Sequence, residues 1–154
     1  MLDIIKSQSC TIHDSENVKG FFGKYSFLSN FQLGEVYFEG YLYPSSENAY
    51  QAAKSIDQKI RNQFITITPS QSKKLGRKIT IREDWDSVKI KIMSDICFDK
   101  FTRHQNFQDK LIETGDKYLE ETNYWNDKFW GVCNGVGQNN LGKILMDIRT
   151  YLKQ

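Results

Sequence analysis

The sequence predicts an α+β fold, a single and mostly helical domain built around a small antiparallel sheet. One hairpin pattern in the first third of the chain and several helix-start signals after it support this prediction. The length of 154 residues suits one domain whose core is large enough to enclose a pocket. We expect residues 1–19 to be an irregular lead-in and residues 20–154 to be the folded domain.

The sheet is predicted from aromatic runs. Residues 21–25 indicate a short strand, and residues 27–31 indicate a turn or loop. Residues 36–38 and 41–43 are strand-like runs on either side of a Glu-Gly pair, which is typical of a hairpin with a glycine-containing turn. Because Pro44 cannot continue a central strand, we expect the sheet to end there.

Cap residues predict the helices that follow. Ser45 is a good N-cap for a helix that we expect to run to about residue 63. Thr68 followed by Pro69 opens a short helix, and Asp84 is expected to cap a longer helix with an apolar stripe. Three further segments complete the chain: a helix at residues 107–112, an extended or irregular stretch at 118–130, and an amphipathic helix at 141–152.

Composition argues against several classes of protein. The net charge of +2, from 21 basic and 19 acidic residues, is too balanced for a non-specific nucleic-acid coat or a membrane-surface protein. No apolar run approaches the roughly 20 residues that cross a bilayer, and the N-terminus lacks a signal-peptide pattern. The three cysteines form no CxxC pair, which indicates reduced thiols in a cytoplasmic protein without a metal site. With only His13 and His104 available, a histidine-based nucleophilic triad is a poor fit.

Aromatic residues are unusually frequent, at 14% of the chain. They cluster with small polar residues at 21–31, 37–50 and 124–130. Such mixtures line pockets that stack a base or a sugar face, although ordinary core packing is the alternative.

The segment at residues 44–54 holds the strongest candidate chemistry. Glu47 and Lys54 are seven residues apart, so a helix places both on one face, with Tyr50 and Gln51 between them. Glu47 is a candidate acid or base, and a desolvated Lys54 is a candidate nucleophile that forms a Schiff base with a sugar aldehyde. The alternative is a solvated pair on a surface helix.

Later segments are weaker candidates. Asp127 lies between two indoles, which fits a sugar site or, alternatively, a turn at an aromatic core corner. The glycine-rich run at residues 131–142 leads into a helix, so it either presents backbone N–H groups to a phosphate or forms a flexible loop. Basic residues at 73–78, together with Arg82, add positive charge where a diphosphate is expected to bind.

Several short motifs follow one another in a fixed order. They are Phe27-Leu-Ser-Asn-Phe31, Tyr43-Pro-Ser-Ser-Glu47, Tyr50-Gln51, Lys54, Leu75-Gly-Arg77, Arg82 with Trp85, Phe129-Trp-Gly131, Gly135-x-Gly137-x-Asn139 and Leu141-Gly142. This order resembles that of the NADAR family, also called the YbiA-like family, over residues 21–152. The resemblance implies an α+β N-glycosidase that cleaves the bond between the anomeric carbon of ribose and an amine.

The resemblance also implies roles for individual residues. Lys54 would be the nucleophile, Glu47 would move protons, and Asp127 would complete the catalytic set. The positions implied to bind the ribose, the base or the phosphate are Ser29, Asn30, Phe31, Ser46, Tyr50, Gln51, Arg82, Trp85, Trp130, Gly135, Gly137 and Asn139. Of these, Arg82 and the glycine loop are expected to hold phosphate. Trp125 is not matched to a position of the family pattern, and its role is left open.

Two kinds of substrate are known for the family: ADP-ribose attached to guanine, in DNA or in a nucleotide, and the phosphoribosylamino-pyrimidine intermediates of riboflavin synthesis. We favour ADP-ribosyl-guanine, because basic residues at 73–78 can accommodate a diphosphate and a neighbouring strand. A module that binds ADP-ribose or NAD without hydrolysing it is an alternative of another class. We expect no cofactor, no metal, no membrane contact and no obligate protein partner.

Overall fold

The computed structural model describes residues 17–154, so most of the predicted lead-in, with Cys10 and His13, lies outside the described residues. The strands are β1 (Asn17–Lys19), β2 (Leu33–Phe38), β3 (Tyr41–Ser45), β4 (Tyr118–Glu120), β5 (Thr122–Asn123) and β6 (Val132–Cys133). The helices are α1 (Ser46–Ala53), α2 (Gln58–Asn62), α3 (Pro69–Gly76), α4 (Trp85–Arg103), α5 (Gln105–Glu113) and α6 (Asn140–Leu152), and a 3₁₀ helix spans Gly23–Leu28. These elements confirm the predicted α+β fold, in which helices predominate. Within residues 17–154, no helix is both long and apolar enough to span a bilayer.

The predicted hairpin is present, but the other strand pairs are parallel. β2 and β3 pair in antiparallel register, and Glu39 and Gly40 make the turn with φ of 44° and 98°. A left-handed conformation at both positions is what a two-residue hairpin requires. β1 pairs with β4 and β5 pairs with β6, both in parallel. The antiparallel sheet is therefore one of three small sheets in residues 17–154, rather than a single central sheet.

The segment before the hairpin differs from the prediction. Asn17–Lys19, which lies in the predicted irregular lead-in, is strand β1. Residues 21–25, predicted to be a strand, lead into and include the start of the 3₁₀ helix. Gly20 and Gly23 adopt φ of 91° and 60°, a left-handed conformation that interrupts an extended run.

The first α-helix begins where predicted and ends earlier. The hydroxyl of Ser45 accepts the backbone N–H three residues later at 3.1 Å, which caps α1. The helix ends at Ala53 instead of residue 63. The reason is that Ser55 accepts the N–H of Asp57, whose carboxylate then caps α2 by accepting the N–H of Lys59.

The other two cap predictions have different outcomes. Thr68 forms a capping box with Gln71 and starts α3 as predicted. Asp84 precedes α4 but makes no cap hydrogen bond, because its carboxylate binds the guanidinium of Arg82 instead.

The first α-helix runs through the core. All eight residues of α1 are buried, since the helix packs against the hairpin, α3 and α4. A polar side chain on this helix is therefore removed from bulk water. The alternative of a solvated pair on a surface helix does not describe α1.

Candidate active site

A cavity of about 600 Å³ lies beside α1, bounded also by α3 and by the segment around β5. Its volume falls in the range of roughly 300–1,000 Å³ that is typical of small-molecule sites. Seven residues with predicted roles line it: Ser29, Asn30, Phe31, Glu47, Tyr50, Gln51 and Trp130. The structure thus brings together predicted residues from three separate parts of the chain.

Glu47 is a buried carboxyl in the cavity wall, only 6% exposed. Its backbone N–H donates to the carbonyl of Asn30 at 2.9 Å, and its Oε1 accepts a hydrogen bond of 2.8 Å from Gln51. Burial raises the pKa of Glu47, while the Gln51 hydrogen bond and the charges of Lys73 and Lys54 oppose the rise. Glu47 therefore retains a proton at a pH where an exposed glutamate has lost it.

Gln51 is fixed by the close approach of α3. The backbone of Gly76 passes so near that a Cβ atom there would overlap the Gln51 amide. The amide nitrogen of Gln51 binds Glu47, whereas its buried Oε1 has no hydrogen-bond partner in residues 17–154. This oxygen is packed against the backbone of Gly76, and the amide nitrogen is the side of Gln51 that faces Glu47.

Lys54 lies beside the cavity rather than in its wall. It follows the last residue of α1 and is half-buried, with its ammonium 5.7 Å from the centroid of the Tyr50 ring. Burial lowers the pKa of Lys54, and the charges of Arg77 and Lys89 lower it further, whereas the negative charge of Glu47 raises it. A lysine with a lowered pKa has a larger neutral, nucleophilic fraction near neutral pH.

Aromatic side chains pack around Tyr50 at the cavity wall. Its ring centroid lies 5.2 Å from that of Trp85 and 5.5 Å from that of Trp130, which meets it edge-on. The indole N–H of Trp130 donates to the Tyr50 hydroxyl at 3.0 Å. Burial raises the pKa of Tyr50, so the phenol stays protonated. Trp85, predicted to bind substrate, supports Tyr50 and does not itself line the cavity.

Glu121 is a second carboxyl in the cavity wall, and no sequence pattern indicated it. Its backbone N–H donates to Asn139 at 2.9 Å, and its side chain accepts a hydrogen bond of 3.2 Å from Asn123. Gly131 packs so closely that a Cβ atom there would overlap the Glu121 carboxyl. Burial, followed by the charge of Asp127, raises the pKa of Glu121 to about 7. Glu121 is thus suited to exchange protons at neutral pH.

Asp127 lies near both carboxyls but not in the cavity wall. Its Oδ1 accepts the backbone N–H groups of Phe129 and Trp130 at 3.1 and 2.9 Å. The side chain of Asn123 bonds the main-chain N–H and C=O of Asp127 at 3.1 and 2.8 Å. These contacts are those of a turn residue, and the catalytic role of Asp127 stays a prediction.

Two of the groups expected to hold phosphate, Arg82 and the glycine loop, also lie outside the cavity wall. Arg82 lines a separate groove of about 560 Å³, and its guanidinium binds the Asp84 carboxylate at 2.6 Å. Gly135 and Gly137 are exposed after β6 and adopt φ of 75° and 154°. Neither group faces the cavity, so their phosphate-binding roles stay predictions.

Two further predicted binding residues are buried away from the cavity wall. Ser46 is fully buried and does not line the cavity. Asn139 precedes α6 in a left-handed conformation with φ of 55°. Its side chain accepts the N–H of Glu121 and donates to the carbonyl of Leu119, both at 2.9 Å. Asn139 therefore holds β4 and Glu121 in place.

The mouth of the cavity is basic and aromatic. Lys73 of α3 lines the cavity, with its ammonium 5.1 Å from the ring centroid of Trp125 and 5.8 Å from that of Phe31. Trp125 is 48% exposed and meets the exposed Tyr124 edge-on. The aromatic clustering in the sequence indicates this region, but only the structure places Trp125 beside Lys73.

The cavity combines two carboxyls of raised pKa, a nearby lysine of lowered pKa and a set of aromatic rings. In the described part of the chain, no three His, Cys, Asp or Glu side chains are grouped to hold a metal ion. The arrangement is suited to moving protons on and off a bound molecule and to forming an imine with a sugar aldehyde.

Comparisons with known proteins agree with one another. Residues 12–153 match the family profile described as the NADAR domain. The chain is 35% identical over 136 residues to an N-glycosidase from Nostoc punctiforme, covering 84% of this chain and 86% of that protein. It is 33% identical over 134 residues to a riboflavin biosynthesis protein from Vibrio vulnificus, covering 84% of this chain and 36% of that protein. The NMR structure of YbiA from Escherichia coli matches with a TM-score of 0.79 at 30% identity, over 90% of this chain and 86% of that one.

Proposed function

The chain belongs to the NADAR family of N-glycosidases, and from that premise we propose that it removes ADP-ribose from guanine through a lysine Schiff base. The observation that carries this proposal is the opposite displacement of two pKa values beside one cavity. The pKa of Glu47 is raised and that of Lys54 is lowered, mainly by burial in both cases. The protonated fraction of Glu47 and the neutral fraction of Lys54 are therefore both larger than in exposed side chains, which is the direction that the reaction requires.

The first half of the proposed reaction exchanges one amine for another. Glu47 gives its proton to the ribose ring oxygen as the C1′–O bond breaks and the nitrogen of the base forms an iminium with C1′. The neutral Nζ of Lys54 adds to C1′. A proton passes from Nζ to the nitrogen of the base, the C1′–N bond to the base breaks, and C1′ stays attached to Lys54 as a Schiff base.

The second half is hydrolysis. Water adds to C1′ of the Schiff base and gives one proton to a carboxylate and the other to Nζ, and the C1′–Nζ bond breaks to release the aldehyde form of the sugar. Glu121, whose pKa of about 7 suits both giving and taking a proton, is our candidate to assist Glu47 in these transfers. Lys54 is regenerated as the amine.

The mouth of the cavity supports the choice of an ADP-ribosylated substrate. Phe22, Phe31, Tyr124 and Trp125 line the cavity and are between 41% and 90% exposed. Exposed rings at a cavity edge stack bases with little sequence preference, so they suit a substrate that extends beyond one ribosyl group. The likeness to a protein named for riboflavin biosynthesis supports a second candidate, a phosphoribosylamino-pyrimidine.

The test is turnover measured by mass spectrometry on two substrates side by side. A guanine-ADP-ribosylated DNA oligomer is expected to lose the ADP-ribose mass, and a phosphoribosylamino-pyrimidine is the comparison. Lys54→Ala and Glu47→Gln are expected to fold and to lose turnover, whereas Lys74→Ala, on the exposed face of α3, is the matched control. Borohydride added during turnover is expected to attach the sugar mass to the peptide that contains Lys54.

The other possible results of the turnover test identify a different substrate, a different mechanism or a binding module. If only the phosphoribosylamino-pyrimidine is cleaved, that compound is the substrate instead of ADP-ribosyl-guanine, and the Schiff-base mechanism still applies. Turnover retained in both Lys54→Ala and Glu47→Gln refutes the mechanism. ADP-ribose bound without cleavage of either substrate favours a binding module.

A further inference from the structure

The cavity needs a cation if its substrate carries phosphate, and two of the predicted phosphate-binding groups, Arg82 and the glycine loop, lie elsewhere. Arg82 is engaged by Asp84 in the separate groove, and the loop with Gly135 and Gly137 does not reach the cavity. A phosphate or diphosphate bound without a positive partner retains a large desolvation cost. Another cationic group in the cavity wall must therefore bind the phosphate.

Lys73 is the lysine that lines the cavity, and its ammonium is directed toward the mouth. It lies 5.1 Å from the ring centroid of Trp125 and 5.8 Å from that of Phe31, while the side chain is half-buried. In residues 17–154, it has no carboxylate oxygen within 4.0 Å. Two rings hold the cation without neutralising it, which leaves its charge available to an anion.

The neighbouring lysine on α3 provides an internal comparison. Lys74 belongs to the same basic run at residues 73–78, but it is exposed and does not line the cavity, so it is not among the groups that can meet a phosphate there. Lys73 differs from it in lining the same cavity as Glu47 and Glu121, and its positive charge opposes the rise in the pKa of both carboxyls. Its position thus lies between the reacting groups and the exposed aromatic rings.

We propose that Lys73, held between Trp125 and Phe31, binds the phosphate or diphosphate group of the substrate at the mouth of the cavity. This inference rests on the proposed function, which supplies a ribosyl substrate with an anionic group. The sugar then extends inward toward Glu47 and Glu121, and the remainder of the substrate extends outward over the exposed rings. Lys73 determines specificity for phosphorylated ribosyl compounds, and Lys54 performs the covalent step.

The test measures equilibrium binding of ribose 5-phosphate, ADP-ribose and unphosphorylated ribose by calorimetry or NMR titration. Lys73→Gln is expected to weaken binding of both phosphorylated ligands by about 10-fold and to leave ribose unchanged. Lys74→Gln is the matched control and is expected to change none of the three. Lys73→Arg keeps the charge and is expected to keep most of the affinity. If Lys73→Gln fails to fold, Lys73→Met takes its place, because it keeps an apolar chain against the two rings and removes the charge. Added salt is expected to weaken wild-type binding of ribose 5-phosphate but not of ribose.

Three results would overturn the inference: equal losses in Lys73→Gln and Lys74→Gln, no preference of the wild type for ribose 5-phosphate over ribose, or salt-independent binding. Turnover in the same samples separates this inference from the proposed function. If binding depends on Lys73 but ADP-ribosyl-guanine is not cleaved, the proposed function is wrong and the phosphate site at Lys73 is confirmed. If ADP-ribosyl-guanine is cleaved with the same KM by Lys73→Gln and Lys74→Gln, the proposed function is confirmed and the phosphate site at Lys73 is wrong.

Discussion

Gly76 faces the side-chain amide of Gln51 with no room for a Cβ atom between them. Gln51 in turn donates a hydrogen bond of 2.8 Å to the carboxyl of Glu47, one turn earlier in α1. A backbone contact between two helices therefore sets the orientation of a candidate catalytic carboxyl. Gln51 and Gly76 therefore hold Glu47 in position, although neither is a candidate for the covalent step.

The first prediction concerns this contact. Gly76→Ala displaces Gln51 and removes its hydrogen bond to Glu47, a net loss of about 1 kcal/mol. We expect kcat to fall about 5-fold, measured by single-turnover kinetics. In a Gln51→Ala background the same substitution should have little further effect on kcat, because its target is already absent. A full additional loss in that background would show that Gly76 acts by another route.

The second prediction concerns the reactivity of the Lys54 amine. Its pKa is lowered by burial, and the negative charge of Glu47 opposes that change. Neutral Lys54 therefore accumulates at a lower pH than ordinary lysine, and Glu47→Gln should move the midpoint lower still. The measurement is the pH dependence of labelling by an amine-directed reagent, quantified by peptide mass spectrometry. Lys74 serves as the reference amine in the same digest. A midpoint that rises in Glu47→Gln contradicts the assigned interaction.

The third prediction links Glu121 to stability. Its pKa is about 7 in the folded protein, above the ordinary value of 4.5, chiefly because it is buried. Between these pH values the folded state holds a proton that the unfolded state has released, so stability from this group falls as pH rises from about 4.5 to about 7. Glu121→Gln removes this dependence.

Denaturant unfolding at pH 5 and at pH 8 measures the effect. The free energy of unfolding of Glu121→Gln relative to wild type should increase by about 1–3 kcal/mol between the two pH values. Glu120→Gln, the adjacent substitution in β4, is the matched control. A difference between Glu121→Gln and wild type that is the same at both pH values would exclude the raised pKa.

The fourth prediction concerns Asn139, which was expected to bind substrate and instead holds Glu121 and Leu119. Asn139→Gly keeps the left-handed backbone but leaves two buried main-chain groups without a partner, which costs about 2–4 kcal/mol. Chemical denaturation measures this loss. Asn139→Ala should cost more, since alanine also disfavours a φ of 55°. Equal stability of wild type and Asn139→Gly would return Asn139 to the set of candidate substrate contacts.

Local signals in the sequence account for the parts that were predicted. The hairpin follows from two strand-like runs around a Glu-Gly turn, and the start of α1 follows from the side chain of Ser45. Glu47, Tyr50 and Gln51 lie within that same helix, so a helical period was enough to place them on one cavity wall. The early end of α1 was missed because two weak side-chain caps compete with helix continuation.

Long-range contacts account for the parts that were missed. β1 pairs in parallel with β4, a partner about 100 residues away, and strands of three residues carry no readable alternation. Glu121 lies between two such short strands and depends on Asn139 and Gly131 for its place. The flanking indoles single out Asp127 in the sequence, whereas no sequence pattern indicates Glu121, because the burial of a carboxyl cannot be read from the residues around it.

Asn139 accepts the hydrogen bond that fixes Glu121, so the order in which the chain is synthesised determines when the cavity wall is complete. Glu47 and Lys54 are synthesised more than 80 residues before Asn139, the residue that fixes Glu121. A nascent chain that has exposed α1 through α5 therefore still lacks the second carboxyl and one wall of the cavity. We expect a chain truncated before residue 139 to lack a fixed Glu121, and therefore a complete cavity wall beside Lys54.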